Sequence, residues 1–577
     1  MLGNGSLLAT VSGRGRIQRL WWPHPDRGQH LGELRLGIER DGTTLWLDDE
    51  PFAWSQSYAD GALILRTTAR VPGLEVEVND LVHPSEAAVV RRISCATRGG
   101  RLVVRCRPEL DERTRALGAY VDSETGALTF HRGRYALALQ TSAEAQATAE
   151  GIGRVEGTVS CAFDAPVELV CGFGSSPRDA IQRTRAVLAE GFERIAERRR
   201  RQDAARLTES SFPENGPLAA LYNRSLLVFD VLADRATGAV VAAPELDPDF
   251  VDSGGYGFVW ARDLAFLVLA FLASGRRSLA QGALRWLPAA QEPDGLWLQR
   301  HWSDGSLAPS WCAHQLDETG SVLFAYEAAW RALRDDELDS RLWPSACRAA
   351  DFLLGSINAQ GLPHETADLW EERDGCHSYT AAATVGGLRA AASFARRHEP
   401  ELTETYSGAA EELAAALDRC FWSDEHGRYL RTLGDPAVDV SLLGLAWPFR
   451  AVDPAGERMR ATADAVANVL GRPGGGLPRY EGDRYAGGNS WILAALWLGL
   501  YRRQTGDRDG HRRALEYAQR VATPLGLLPE QVTDDGMPAW VVPLAWSHAM
   551  LVLAARPELE VVQSLPGAAQ SPVRVTN

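Results

Sequence analysis

The spacing of apolar side chains changes once along the chain, close to residue 200. Before about residue 190, short runs such as Leu74–Val78 alternate apolar and polar residues, and Gly, Asp and Pro turns separate them. Several short alternating runs without a helical segment between them are typical of paired antiparallel sheets. Residues 1–190 are therefore predicted to form an N-terminal antiparallel β-sandwich.

From about residue 214 the apolar period lengthens to 3.6 residues, the period of an α-helix. Helical segments are predicted near 217–233, 263–274, 278–291, 318–334, 341–355, 378–397, 404–420, 438–448, 456–470, 488–504, 509–521 and 543–555. An open solenoid would show a sequence repeat of fixed length, and no such repeat is visible. We therefore predict that residues 214–577 form six helical hairpins closed into a toroid, an all-α (α/α)6 barrel.

Residues 191–213 lie between these two regions and read as a helical linker. The linker carries the basic run Arg198–Arg201, which on its own would suggest a nucleic-acid contact. Glu193 and Glu197 are interleaved with it at helical spacing, which indicates a solvated helix face.

Composition and charge restrict the class of partner. The chain has 577 residues and a formal net charge of -15, which argues against nucleic acid or an anionic membrane as a partner. No apolar run is long enough to span a bilayer, and the N-terminus lacks the pattern of a secretory signal, so a cytoplasmic location is expected. The eight cysteines are dispersed without a CxxC pair, so reduced thiols and no metal site are expected.

The richest stretch for chemistry is Asp368–Glu372, which holds three carboxylates and an indole within five residues. A carboxyl packed against an indole is poorly solvated, which raises its pKa and keeps it protonated near neutral pH. Such a group can act as a general acid. Taken alone, such a stretch is more often an acidic loop that caps the next helix.

The other long loops also combine aromatic side chains with carboxylates or arginines. At the predicted start of a helix, Arg262 and Asp263 are either a helix cap with a surface ion pair or a clamp for sugar hydroxyls. Further examples are the segments 294–302, 311–319, 477–491 and 528–548. Since a rigid scaffold presents active loops on one face, these loops together predict an acidic, aromatic pocket.

Several of these segments resemble glycoside hydrolase family 15, the group of glucoamylases, glucodextranases and trehalases. The resemblance rests on Trp260–Asp263, Gln315–Thr319, Trp370–Glu372, Arg479 and Tyr480 with Asn489 and Trp491, Pro529–Gln531 and Leu544–His548. The N-terminal segments Gly3–Ser6 and Gln29–Gly32 look like the β-sandwich domain of prokaryotic members. The resemblance thus covers nearly the whole chain.

The resemblance implies an inverting exo-acting glucohydrolase that releases β-glucose from short α-glucosides such as isomaltose or malto-oligosaccharides, without a cofactor. It matches Glu371 to the general acid and Glu530 to the general base, while Asp368 and Glu372 remain alternative acids. The residues that it matches to substrate binding are Arg262, Asp263, Trp311, Asp368, Trp370, Glu372, Arg479 and Trp546.

Three alternative functions remain at this point. One is a trehalase of the same family, and another is a disaccharide phosphorylase, which combines a similar sandwich and toroid but uses phosphate in place of water. The third is a saccharide-binding protein without catalysis. The Pro529–Gln531 motif favours hydrolysis over phosphorolysis, and the retention of both carboxylates argues against a purely binding role.

Overall fold

The computed structural model describes residues 1–96, 99–111, 117–151, 155–208, 216–245, 254–312 and 314–556. The described residues within Met1–Glu209 and Leu226–Ala236 form one compact unit. Those within Ser210–Ser225 and Thr237–Asn577 form a second.

The first unit contains two antiparallel sheets. Their strands are β1 (Leu2–Gly3), β2 (Leu8–Val11), β3 (Ile17–His24), β4 (Arg27–Gln29), β5 (Leu31–Arg40), β6 (Thr43–Trp46), β7 (Ala53–Tyr58), β8 (Leu65–Val71), β9 (Leu74–Val82), β10 (Ala88–Cys95), β11 (Arg101–Pro108), β12 (Gly118–Val121), β13 (Leu128–Arg132), β14 (Tyr135–Thr141), β15 (Ala145–Glu150), β16 (Glu156–Ala162) and β17 (Val167–Gly174). One sheet has the order β1-β2-β3-β5-β11-β16-β15, with β4 on β3 and β6 on β5, and the other has the order β12-β13-β14-β17-β10-β9-β8-β7. The alternation in β9 buries Leu74, Val76 and Val78 and exposes Glu75, as a strand with one face on the core requires. The predicted β-sandwich is confirmed.

Two helices follow, α1 (Pro177–Glu190) and α2 (Phe192–Thr208), and both pack on the second sheet. Helix α2 is the stretch that the sequence placed in a linker with a solvated basic face. In the structure Arg199 is buried, donating to Asp203 Oδ2 at 2.9 Å and to the carbonyl of Gly3 at 3.0 Å. The solvated-face interpretation is therefore wrong for Arg199, because a buried carboxylate i+4 along the helix neutralises it.

The second unit is helical. Its elements are α3 (Pro217–Leu232, which has residues in both units), α4 (Ala261–Ala273), α5 (Arg277–Trp286), α6 (Leu316–Leu333), α7 (Asp336–Gly355), α8 (Ser378–His398), α9 (Thr403–Phe421), the 3₁₀ helix Val440–Leu445, α10 (Glu457–Leu470), α11 (Ile492–Gln504), α12 (Arg508–Val521) and α13 (Ala545–Ala555). Short strand pairs lie in the connections: Thr366–Ala367 with Asp374–Gly375, Trp422–Ser423 with Arg428–Tyr429, and Ser490–Trp491, Gln531–Val532 and Pro538–Ala539 in one small sheet.

Six of these elements close into a ring. Helix α4 packs on α6, α6 on α8, α8 on the 3₁₀ helix, the 3₁₀ helix on α11, α11 on α13, and α13 returns to α4. Helices α4, α6 and α8 are buried on nearly every side, whereas α5, α7 and α12 bury a single face, which identifies an inner and an outer layer. The predicted (α/α)6 toroid is confirmed.

The inner helices approach one another closely at a glycine. A Cβ on Gly320 of α6 would lie 2.4 Å from the carbonyl oxygen of Ala383 in α8, so no larger residue fits at this crossing. The first turn of α6 precedes Gly320 and carries Asp317 and Glu318, both fully buried. This crossing therefore fixes the backbone that carries two buried acids.

The inner element predicted at 438–448 is shorter and tighter than expected. It is the 3₁₀ helix Val440–Leu445, whose first turn is capped by Asp439 accepting from the backbone N–H of Ser441 at 2.8 Å. Pro448 disfavours helical geometry in the residue before it, and Gly444 lies against the ring of Tyr379, where a Cβ would come within 2.6 Å. None of the helices in the described ranges is both long and apolar enough to cross a membrane.

Candidate active site

A cavity of about 300 Å³ lies within the second unit, where the long loops meet the N-terminal ends of inner helices. It is lined by Ala242, Gly254, Gly255, Tyr256, Trp260, Arg262, Asp263, Trp311, Leu369, Trp370, Glu371, Glu372, Arg479, Tyr485, Trp491, Glu530, Leu544 and Trp546. Of the site residues predicted from the sequence, only Asp368 is not among the lining residues. Loops far apart in sequence therefore converge on one cavity.

Asp368 shapes the loop that presents Glu371. Its carboxylate accepts from the backbone N–H of Glu372 at 2.9 Å, and its carbonyl accepts from the N–H of Glu371 at 3.0 Å and from the amide of Gln315 at 2.7 Å. The turn places Glu371 at a φ of +63°, a left-handed conformation that is uncommon outside glycine. Asp368 thus holds the backbone of this loop and does not line the cavity, so its match to a substrate contact stays a prediction.

The carboxyl of Glu371 is buried and carries hydrogen bonds on both oxygens. Trp260 Nε1 donates to Oε1 at 2.6 Å, the amide of Gln299 donates to Oε2, and Arg262 Nη2 lies 3.5 Å from Oε1. Burial raises the pKa of Glu371 above its ordinary value, although Arg262 and the two donors act in the opposite direction. The indole bonded to this acid is therefore Trp260, whereas the neighbouring Trp370 donates its N–H to Asp439 at 3.1 Å.

Glu530 is the second buried carboxyl of the cavity and has a different set of donors. Tyr256 Oη donates to Oε1 at 2.8 Å, and Gln531 Nε2 donates to Oε2 at 3.1 Å. Burial raises the pKa of Glu530 to about 7, with Asp263 adding to the increase and the two donors and Arg479 opposing it. A carboxyl with this pKa exchanges its proton near neutral pH.

Arg262 lies at the start of α4, and its guanidinium is buried beside two carboxylates. Its Nη1 is 2.9 Å from Asp317 Oδ2 and 3.1 Å from Glu318 Oε1, and its guanidinium lies 5.9 Å from the ring centre of Trp546. Trp260, which precedes α4, makes no side-chain cap, and the backbone N–H of Arg262 donates to Glu318 Oε2 instead, so the helix-cap alternative for Arg262 and Asp263 is wrong. Both residues are buried at the cavity wall.

Asp263 lines the cavity beside Arg262 but makes no hydrogen bond to its guanidinium. Its Oδ2 lies 3.9 Å from Arg262 Nε, too far for a hydrogen bond, and burial raises its pKa to about 7. An acceptor that lines a cavity in this way suits a neutral ligand with hydroxyl donors.

Arg479 and Glu372 form a pair on another wall. Arg479 Nη2 donates to Glu372 Oε1 at 2.6 Å and to Asp483 Oδ1 at 2.8 Å, and the hydroxyl of Tyr480 donates to Glu372 Oε2. The guanidinium also lies within 5.4 Å of the ring centre of Trp370. The carboxylate of Glu372 therefore already accepts from three groups, Arg479, Tyr480 and Arg373, whose Nη1 lies 3.3 Å from Oε2.

Several residues of the site were present in the loops that the sequence singled out but received no role there. These are Tyr256, Trp260, Gln299, Asp317, Glu318 and Tyr485. Their residue types fit a polar cavity, but pairings such as Gln299 with Glu371 join positions 72 residues apart. Loop composition alone could have nominated these residues, and only the closed ring identifies their partners.

We expect Arg262→Leu to lower the free energy of unfolding by about 3–5 kcal/mol, because Asp317 and Glu318 would remain buried without their cation. Urea unfolding followed by circular dichroism measures this loss. Arg512→Leu is a matched control, since Arg512 is 62% exposed and pairs only with the exposed Asp509 and Glu516 among the described contacts. Equal unfolding midpoints for the two variants would contradict a buried ion cluster.

The family model for glycosyl hydrolases family 15 matches residues 216–556, more than half of the chain. An uncharacterised glycosyl hydrolase of Methanocaldococcus jannaschii is 25% identical over 96% of this chain and 97% of its own. The isomaltose glucohydrolase of Kribbella flavida is 29% identical over 56% of this chain and 88% of its own.

A crystal structure of a bacterial glucoamylase complexed with acarbose superposes with a TM-score of 0.83 at 20% sequence identity, covering 97% of this chain and 93% of that one. This likeness supports the fold of both units. The family match shows that the chain belongs to glycosyl hydrolase family 15 and is a glycoside hydrolase.

Proposed function

We propose that this glycoside hydrolase is an inverting, exo-acting glucohydrolase that releases β-glucose from the non-reducing end of short α-glucosides. The observation that carries the proposal is the pair Glu371 and Glu530. Both carboxyls are buried in one cavity, and their hydrogen-bond donors do not overlap. Two independently tuned carboxyls are what acid–base cleavage of a glycosidic bond requires.

Glu371 is assigned as the general acid. A general acid must hold a proton before the reaction, and burial, which raises the pKa of Glu371, favours that protonated form. Because burial raises the pKa of Glu530 as well, the choice between the two carboxyls rests on the Trp370–Glu372 segment, which the family resemblance matches to the acid. The two alternative acids fit less well, because Asp368 bonds to backbone outside the cavity lining and Glu372 is held by Arg479 and Tyr480. As the bond to the leaving sugar breaks, the Glu371 proton passes to the glycosidic oxygen.

Glu530 is assigned as the general base. In the inverting reaction one carboxylate takes a proton from water on the face of the sugar opposite the leaving group, so the hydroxyl arrives with inverted configuration. Tyr256 and Gln531 direct donors at its two oxygens, which favours the ionised form that a base needs. The product from an α-glucoside is then β-glucose.

The remaining cavity residues fit the recognition of a terminal glucose. Asp263 supplies an acceptor, and the indole rings of Trp546 and Trp311 provide flat apolar faces. Trp311 is 55% exposed while it lines the cavity, and its Nε1 donates to the carbonyl of Glu371 at 3.1 Å. These contacts support the assignment of Trp311 to the second sugar, next to the bond that is cleaved.

The cavity size fits the end of a saccharide. A volume of about 300 Å³ lies at the lower end of the range for small-molecule sites, which suits one or two sugar units. The similarity to an isomaltose glucohydrolase makes isomaltose the first substrate to test, followed by maltose. Trehalose is the substrate of the alternative function within the family.

The test is proton NMR of the purified protein with isomaltose, maltose and trehalose in phosphate-free buffer, following the anomeric signals of released glucose. Early β-glucose from isomaltose or maltose is the expected result. Early α-glucose would exclude inversion. Turnover that requires added phosphate would identify a phosphorylase instead.

A further inference from the structure

The first oxygen of the proposed base, Glu530 Oε1, is the end of a chain of three hydrogen bonds. Tyr256 Oη lies 2.8 Å from Oε1, Tyr485 Oη lies 2.7 Å from Tyr256 Oη, and Trp540 Nε1 lies 3.0 Å from Tyr485 Oη. The chain runs from Trp540, in the segment after the small sheet, to the carboxyl at the cavity.

The direction of this chain is set by its outer end. An indole N–H can only donate, whereas a phenol can donate or accept. Since Trp540 donates to Tyr485, the proton of Tyr485 is directed to Tyr256, and the proton of Tyr256 is directed to Glu530. In the reverse direction Tyr485 would accept from both Trp540 and Tyr256, and its own hydroxyl proton would have no acceptor among the described contacts.

The second oxygen of Glu530, Oε2, accepts from the side-chain amide of Gln531, and Asn489 sets the orientation of that amide. Asn489 Nδ2 donates to the carbonyl of Ala486 at 2.9 Å, which fixes the side of Asn489 that carries the donors. The same nitrogen lies 3.4 Å from Gln531 Oε1, so Gln531 turns its own donor towards Glu530 Oε2. A proton on either oxygen of Glu530 would therefore point at the O–H of Tyr256 or the N–H of Gln531 that already donates to that oxygen.

The backbone at Trp540 supports a functional interpretation. Its φ is +63°, which for a bulky residue is a strained conformation, and strain of this kind is retained where it serves a site. The indole meets the ring of Tyr485 edge-on, with ring centres 6.0 Å apart. The strained turn thus aims the N–H that orients the chain.

We propose that Trp540 and Asn489 are positioning residues for Glu530: by fixing the direction of the donors at both oxygens, they favour its carboxylate and disfavour its protonated form. The inference rests on the proposed role of Glu530 as the base. The charged groups that face Glu530 are Arg479, which also favours the carboxylate, and Asp263, which opposes it. The variants below leave both unchanged.

The test compares Trp540→Phe and Asn489→Leu with the wild type through the pH dependence of kcat/KM. On the acid side of the pH profile, activity rises with pH as Glu530 loses its proton. A variant that stabilises the carboxylate less raises the pKa of Glu530, so this acid limb of the profile moves to higher pH. We expect a shift of about half a pH unit in each variant. Trp422→Phe is the control, because Trp422 donates to Asp424 in a separate strand pair and its limb should stay in place.

A direct readout separates this inference from the proposed function. Carboxyl difference infrared spectroscopy, with Glu530→Gln as the blank, reports the pKa of Glu530 without turnover. If Glu530→Gln retains activity, the base assignment fails and the inference falls with it. If that variant is inactive but the pKa of Glu530 is equal in wild type, Trp540→Phe and Asn489→Leu, only the inference is overturned.

Should Trp540→Phe fail to fold, Tyr485→Phe breaks the same chain while keeping an aromatic ring in place. We expect the same upward shift of the acid limb from it. An unmoved limb in Tyr485→Phe would also overturn the inference.

Discussion

Glu371→Gln is expected to hydrolyse α-glucosides about 10²–10⁴-fold more slowly than the wild type, the usual contribution of a general acid. The amide keeps the shape of the side chain and can still accept from Trp260, but it has no proton of suitable acidity for the leaving oxygen. Steady-state rates on isomaltose or maltose measure the loss. α-Glucosyl fluoride should be hydrolysed at close to the wild-type rate, because fluoride leaves without protonation.

The dependence on the leaving group distinguishes the acid from its neighbour. Glu372→Gln removes an acceptor from Arg479 and Tyr480, so we expect it to slow both substrates by the same factor. If Glu372→Gln were rescued by the fluoride while Glu371→Gln was not, the acid would be Glu372.

Glu530→Ala is expected to lose activity by a similar factor, about 10²–10⁴-fold, on the glycosides and on the fluoride alike. Here the missing step is the deprotonation of water, which every leaving group needs. Sodium azide should restore turnover of the fluoride, because an anionic nucleophile in the space of the lost side chain needs no base. NMR of the product should show β-glucosyl azide.

The configuration of the azide product is the sharper criterion. An α-azide would indicate that azide attacks the anomeric carbon of a glycosyl-enzyme ester and displaces the enzyme carboxylate, as in a retaining mechanism, and would exclude the role proposed for Glu530. The wild type with azide serves as the control and should yield glucose alone, since the Glu530 side chain fills that space.

The fold was predictable from the sequence because apolar residues follow the two-residue period of strands in the first part of the chain and the 3.6-residue period of helices in the second. Outer helices such as α12 bury one face, and inner helices such as α6 are apolar enough to be recognised as segments. The element at Val440–Leu445 departs from the pattern because its apolar residues suit any buried helix, while Gly444 and Pro448 restrict its geometry.

The site was predictable only in part, for a physical reason. Residues that line the cavity, such as Arg262 and Glu371, belong to segments with a distinctive composition. The role of Asp368 could not be predicted in this way. An aspartate that binds backbone N–H groups cannot be distinguished in the sequence from an aspartate that binds a sugar. The pairings of Trp260 and Gln299 with Glu371 depend on ring closure and leave no local signal.

The left-handed backbone at Glu371 also bears on how this enzyme would respond to selection for heat resistance. A glycine or asparagine adopts that conformation with less strain, and neither would place an ionisable acid among buried groups. Replacements at this position are therefore expected to raise the melting temperature while abolishing hydrolysis. A library screened for thermal tolerance alone would enrich inactive enzymes at residue 371, so stability and turnover must be selected together.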